Sequence, residues 1–268
     1  VPERTAVIET APSLHVPFGT VALFLLAIVH CGWRYGLRTT LIFLLISLAI
    51  SNTFENLGVL TGFPFGPYYY TEALGPKLFQ VPLLVSLAWF SMGYLSWTLA
   101  GVLLGVAKNN IRVRGLVWEP LVTALLMVAW DLTFDPLSST VYRSWVWLEG
   151  GPYFGVPVSN FLGWLLTAFL VMLAFSLYLR FVVRNNRKDY LALPNWYWLA
   201  AIVVYGLMGL FPLTSWLALP PVVISDPAGR TWQAHDICAV LSLVSLGTVV
   251  SASIYGCVRI LRTKASLS

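Results

Sequence analysis

The sequence predicts an all-α membrane protein, a polytopic bundle of about seven transmembrane helices. Three observations predict it. Of 268 residues, 58% are apolar and 10% charged, with a mean hydropathy of +0.79. A soluble domain carries roughly a quarter charged residues, so this chain lacks the polar surface to cover itself in water. Apolar stretches that reach the ~20 residues needed to cross a bilayer recur along the chain. The Lys and Arg residues, finally, collect in alternate connections between those stretches.

Taken in order, the spans are expected at approximately 16–33, 39–60, 81–107, 115–134, 158–183, 195–217 and 236–260, in one transmembrane domain covering 1–268. Before the first span, Glu3, Arg4 and Glu9 do not make the basic region of a signal peptide, and no small-residue cleavage site follows. The first apolar run therefore reads as a spanning helix. One set of connections carries Arg34, Arg38, Lys108, Arg112, Arg114, Arg180, Arg184, Arg187, Lys188, Arg259, Arg262 and Lys264. The other set carries only Arg4, Lys77, Arg143 and Arg230. The positive-inside rule then puts the N-terminus outside and the C-terminus in the cytoplasm.

Two outer connections stand apart. Segment 61–80 reads TGFPFGPYYYTEALGPKLFQ and segment 144–160 reads SWVWLEGGPYFGVPVSN. Gly, Pro and aromatic residues favour irregular, well-packed backbone, which at membrane depth is tolerated only when it is buried or lines a cavity. Both segments are expected to fold back as a cap over the outer side of the bundle. They also look like one unit used twice: acidic residues near the preceding helix end, Gly-Pro-Tyr, then Val-Pro opening the next helix. Pro82 to Trp89 and Pro157 to Trp164 share one spacing.

The basic residues sit in short runs at span ends, with no groove-lining patch, so nucleic acid is not an expected partner. Cys31, Cys238 and Cys257 lie in apolar segments without metal spacing and read as small packing residues. No GxGxxG follows a strand and no His-rich cluster occurs, so no cofactor and no metal is expected.

Acidic residues inside spans are the strongest functional pointers, because a charge at mid-bilayer costs from about 2.5 to over 10 kcal/mol. Glu55, Asp131, Asp135 and Asp236 all fall toward the outer ends of their spans, with Asn52, Asn56, Asn160 and His235 at similar depth. Asp131 and Asp135 are four apart and share one helix face. Their bland alternative is helix capping, most plausible for Asp135 because Pro136 follows it; His235-Asp236 reads equally as a cap or an accessory site member. An apolar setting disfavours the charged form of a carboxyl group and a second carboxyl disfavours it further, which leaves the protonated acid that general-acid chemistry needs. Aromatic faces stabilise a cation without offering a nucleophile. Phe65, Tyr68, Tyr69, Trp130 and Trp147 are candidates for such a lining, as are Tyr153, Phe154 and Trp164. Phe63, Tyr70 and Trp145 belong to the same group; a membrane-interface belt is the alternative reading for many of these rings. Acid and aromatic walls together suit protonation of an isoprenoid double bond.

The stretches ENLGVLTGFPFGPYYYT (55–71), AWDLTFDP (129–136) and GGPYFGVPVSNFLGW (150–164) resemble the carotenoid-biosynthesis membrane family that contains the carotenoid 1,2-hydratases, archaeal bisanhydrobacterioruberin hydratases among them. The similarity runs from about residue 45 to 240. The resemblance implies a prokaryotic membrane enzyme that adds water to the terminal double bond of an acyclic carotenoid, with the lipophilic isoprenoid and membrane lipid as its partners. Glu55, Asp131, Asp135 and Asn160 are the polar positions inside the matching motifs. On chemical grounds Asp131 is the expected proton donor, with Asp135 or Glu55 orienting water.

Competing readings remain at this level. The same cation could be quenched internally by a proton-initiated isoprenoid cyclase, and a non-enzymatic isoprenoid-binding protein would show the same composition. A prenyltransferase could use Asp131 and Asp135 on a metal–diphosphate, but the outer face offers almost no Lys or Arg for phosphates. A retinal Schiff base needs a lysine in the last span, and 236–260 has none.

Overall fold

A computed structural model describes residues 15–105, 115–182 and 193–265. Among the described residues, six helices are long and apolar enough to cross a membrane: Phe18–Tyr35, Leu37–Thr61, Leu83–Leu104, Leu116–Val141, Val158–Phe181 and Ala234–Arg262. A bent pair, Asn195–Met208 with Phe211–Ala218, makes a seventh when taken as one span. The chain is therefore a multi-pass, all-α membrane protein. Its helices are α1 (His15–Tyr35), α2 (Leu37–Thr61), α3 (Leu83–Leu104), α4 (Gly115–Pro136), α5 (Val158–Phe181), α6 (Asn195–Met208), α7 (Phe211–Ala218), α8 (Ala234–Ser245) and α9 (Ser251–Ala265).

Three boundaries differ from the sequence expectation, each for a local reason. α3 stops at Leu104 because Gly105 turns left-handed (φ 71°) and donates its N–H to the Val102 carbonyl. The fourth span runs on past 134, through Pro136, into a π-helical turn at Leu137–Val141 that carries the helix to the cap. The sixth is not continuous: α6 and α7 meet at 41°. Pro212 lacks an N–H and fits the first turn of a new helix, not the interior of an old one.

α3 is the axis of the bundle. It packs against α1, α2, α4, α6 and α9 and buries Trp89, Phe90, Tyr94 and Trp97 almost completely, as a helix apolar on all sides must. The surrounding helices turn large apolar side chains outward, among them Phe18, Leu60, Leu217 and Leu243, where lipid replaces water as their solvent.

The connections 62–82, 142–157 and 219–233 gather at one end as a cap. Strands β1 (Tyr68–Tyr70) and β4 (Trp145–Trp147) pair antiparallel, with Tyr68 opposite Trp147 and Tyr70 opposite Trp145. A short hairpin of β2 (Lys77–Leu78) and β3 (Val81–Pro82) leads into α3. A second, β5 (Val223–Ser225) with β6 (Thr231–Gln233), leads into α8. The sequence reading named the first two connections; the third joins them through Arg143 Nη2 donating to the Ser225 carbonyl (3.3 Å) and Arg230 Nη1 to that of Gly151 (2.5 Å). Lys77, Arg143 and Arg230 lie in the cap, whereas Arg34, Arg38, Arg180, Arg259 and Arg262 lie toward the helix ends opposite it. Arg4, Lys108, Arg112, Arg114, Arg184, Arg187 and Lys188 fall outside the described residues, as do Glu3 and Glu9.

Candidate active site

Below the cap the helices line a partly open chamber of about 70 Å³. Glu55, in the last two turns of α2, is 4% exposed and points into it. Its Oε2 accepts hydrogen bonds from the hydroxyls of Tyr68 and Tyr70 (2.8 Å for Tyr70), and its Oε1 accepts one from Trp89 Nε1 (2.8 Å). Strand alternation explains the pair of tyrosines: residues 68 and 70 face one side of β1, while Tyr69 faces the other and is 47% exposed. Burial, then the adjoining Glu55 carboxyl, holds both phenols well above the usual tyrosine range, so they remain donors.

Asp135 answers Glu55 from the paired strand. Trp145 and Trp147, two apart on β4, both donate Nε1 to Asp135 Oδ1 at 3.1 Å. Asn160, in the first turn of α5, sends Nδ2 to Asp135 Oδ2 (2.7 Å) and to Asp131 Oδ2 (2.9 Å). One amide nitrogen thus bridges two buried carboxyl groups. The capping reading of Asp135 does not hold, because its carboxyl oxygens meet side chains of the cap and α5. Asp131 stands behind this bridge. It is fully buried, its Oδ1 has no hydrogen-bond partner, and it is not among the chamber-lining residues.

The walls are aromatic. Trp89 and Trp164 stack with centroids 4.1 Å apart and planes at 15°, so the two residues singled out by their common spacing from Pro82 and Pro157 meet face to face. Trp130 packs edge-on to Trp164 and stacks on Phe134. Phe65 fits between α2 and α5 only because residues 58 and 163 are glycines; a Cβ on Gly163 would lie 2.5 Å from its ring.

Other expected members lie elsewhere. Tyr69 is on the outer face of the ribbon. Phe154 packs on Trp232 and Tyr153 on Phe161, outside the lining. Tyr153 is nonetheless near Asp131: burial, then that carboxyl, pushes its phenol up to about 12. Asn52 donates to Ser86 Oγ (2.8 Å) and lies beside the chamber, not on its wall. His235 Nε2 bonds the Leu219 carbonyl (2.7 Å) and Asp236 is exposed, so both sit in the first turn of α8 and off the chamber wall. Reasoning from sequence overlooked Trp89 as a donor and Phe134 as a wall; the Pro82–Trp89 spacing was the one available signal. His30 bonds Tyr94 and the Tyr197 carbonyl away from the chamber.

Comparison with known proteins fixes the family. Residues 13–225 match the carotenoid biosynthesis protein family. The chain belongs to that family. Its carotenoid-biosynthesis relatives include bisanhydrobacterioruberin hydratase of Haloarcula japonica, 33% identical over 123 residues, which is 46% of this chain and 40% of that protein. The chain therefore aligns with well under two thirds of this family member's length. No solved structure matches the chain.

Proposed function

We propose that the chain hydrates an acyclic carotenoid, or a related isoprenoid, at its terminal C=C through a tertiary carbocation. The observation that carries this reading is the Asp131–Asn160–Asp135 bridge facing Glu55 inside an aromatic chamber. Family membership and the hydratase relative support the substrate class. The largely apolar and aromatic lining, with a few convergent polar groups, suits an isoprenoid end group.

In this mechanism the Asp131–Asp135 pair shares a proton and delivers it through Asp135, the member on the chamber wall, to the less substituted alkene carbon. The π electrons form the new C–H bond, leaving a tertiary cation. The faces of Trp130, Trp164 and Phe134 stabilise that cation, each by about 0.5–2 kcal/mol. Water adds to the cation to form the C–O bond. Glu55, whose three hydrogen bonds are all received, takes the proton that the oxonium loses. Phe65, Tyr68 and Trp147 hold the end group. Glu55 then releases its proton to solvent, the aspartates regain theirs from solvent, and the net change is one water added. The charge count favours a cap on the outer side and the C-terminus in the cytoplasm; the Haloarcula japonica relative supports a prokaryotic cell membrane around a single transmembrane domain, 1–268.

Mass spectrometry of pigments from cells that make an acyclic carotenoid and express this chain tests the proposal. A product heavier by one water is expected. An isomer of unchanged mass would mean a cyclase, and unchanged pigment a carrier; either result overturns hydration.

A further inference from the structure

The β1–β4 ribbon has two faces, and each faces a cavity. Tyr68, Tyr70, Trp145 and Trp147 meet the chamber. Tyr69 and Val146, the central cross-strand pair, turn the other way onto an open depression of about 400 Å³, which Trp147 also lines. Ser139, Thr140, Arg143, Ser225 and Asp226 form its polar part. Ser139 Oγ donates to the Asp135 carbonyl (2.8 Å) and Thr140 Oγ1 to that of Phe154 (2.6 Å). Both hydroxyls have spent their hydrogen and keep free lone pairs. The Asp226 side chain is 1% exposed, and its Oδ2 has no hydrogen-bond partner, with Arg230 Nε 4.0 Å away. A buried oxygen left unsatisfied is costly, and a bound water relieves it. With the Arg143 guanidinium and the Ser225 hydroxyl beside these acceptors, the lining offers both donors and acceptors, and water can answer both.

We propose that this depression is the water vestibule of the chamber, holding the water that the reaction consumes. The proposal rests on the hydration reading. Ser139 lies one helical turn beyond Asp135, about 5–6 Å along the axis, so a water bound at its hydroxyl is next to the acid's own turn. Trp147 is the partition: it lines both the chamber and the depression, and its Nε1 holds Asp135. Substrate and water thus reach the cation from opposite faces of one ribbon. The arrangement keeps bulk water off the aromatic walls, where it would solvate the acid.

The test fills the vestibule from the face away from the substrate. Val146→Trp is expected to lower hydration turnover at least tenfold while the carotenoid KM stays unchanged. As a second arm, Ser225→Cys, in a chain whose native cysteines are replaced, is assayed before and after reaction with a charged, membrane-impermeant thiol reagent. Modification and a similar loss of turnover are expected in the same folded sample, so the test survives a misfolded Val146→Trp. Undiminished hydration in both arms, or a folded Ser225→Cys protein that does not react, overturns the vestibule and leaves the hydration reading standing. A chain in which Ser225→Cys reacts but no hydrated product forms overturns the hydration reading, and the vestibule's role with it.

Discussion

Glu55 and Asp135 are held by opposite strands of one two-stranded ribbon: Tyr68 donates to Glu55, its cross-strand partner Trp147 donates to Asp135, and their ring centroids are 4.9 Å apart. Neither acid is positioned by its own helix alone. A disturbance of the ribbon therefore reaches both, and the predictions below separate the ribbon's contribution from that of each carboxyl group.

Glu55→Gln keeps shape but replaces an acceptor oxygen with an N–H₂ that faces Tyr or Trp donors. Turnover is expected to fall by about 10²–10⁴-fold, the usual size of a general acid–base contribution. Product formation per mole of folded protein, read by liquid chromatography and mass spectrometry, checks this. Full turnover in a folded Glu55→Gln protein would remove Glu55 from the mechanism.

Asp135→Asn and Asp131→Asn separate the acid at the wall from the one behind it. The first is expected to abolish hydration. The second should slow it without changing carotenoid KM, because Asp131 is not on the chamber wall. The reverse ranking would make Asp131 the direct donor.

Asn160→Leu removes the single nitrogen that bridges Asp131 and Asp135. Two buried carboxyl groups lose a donor at once, at about 1–3 kcal/mol each. The expected outcome is a lower melting temperature and loss of activity together. A variant with wild-type Tm and wild-type turnover would show that the bridge is ornamental.

Trp89→Phe deletes the indole donor to Glu55 but leaves a ring to stack on Trp164. Losing one hydrogen bond to a charged group is worth about 1.5–3 kcal/mol, so turnover should drop roughly 10- to 100-fold with little change in carotenoid binding. Trp89→Leu, which removes the stack as well, should also weaken binding, seen as a higher KM.

Gly163→Ala places a methyl 2.5 Å from the Phe65 ring. Phe65 is 1% exposed and wedged between α2 and α5, so it has little room to move. Overpacking of this kind costs about 1–3 kcal/mol. Thermal unfolding in detergent should register that loss, and Phe65→Leu in the same chain should recover part of it.

Much of the architecture was written in the chain's one-dimensional pattern. Span number and most boundaries follow from apolar run length, since any run near 20 residues that cannot find water must find lipid. The candidacy of Glu55, Asp131, Asp135 and Asn160 was also legible, because acidic and amide groups at membrane depth are too costly to be idle. The equal spacings from Pro82 to Trp89 and from Pro157 to Trp164 hinted that the two capping segments act as a pair.

Partnership was decided only in three dimensions. That Tyr68 and Tyr70 hold Glu55 while Trp145 and Trp147 hold Asp135 depends on antiparallel pairing across more than 70 residues of chain, which no local pattern encodes. The bend between α6 and α7 depends on how the helices pack, as does the placing of His235 and Asp236 at the start of α8 and not on the chamber wall. Periodicity tells each residue which face of its own element it occupies, but packing alone chooses the element that this face will meet.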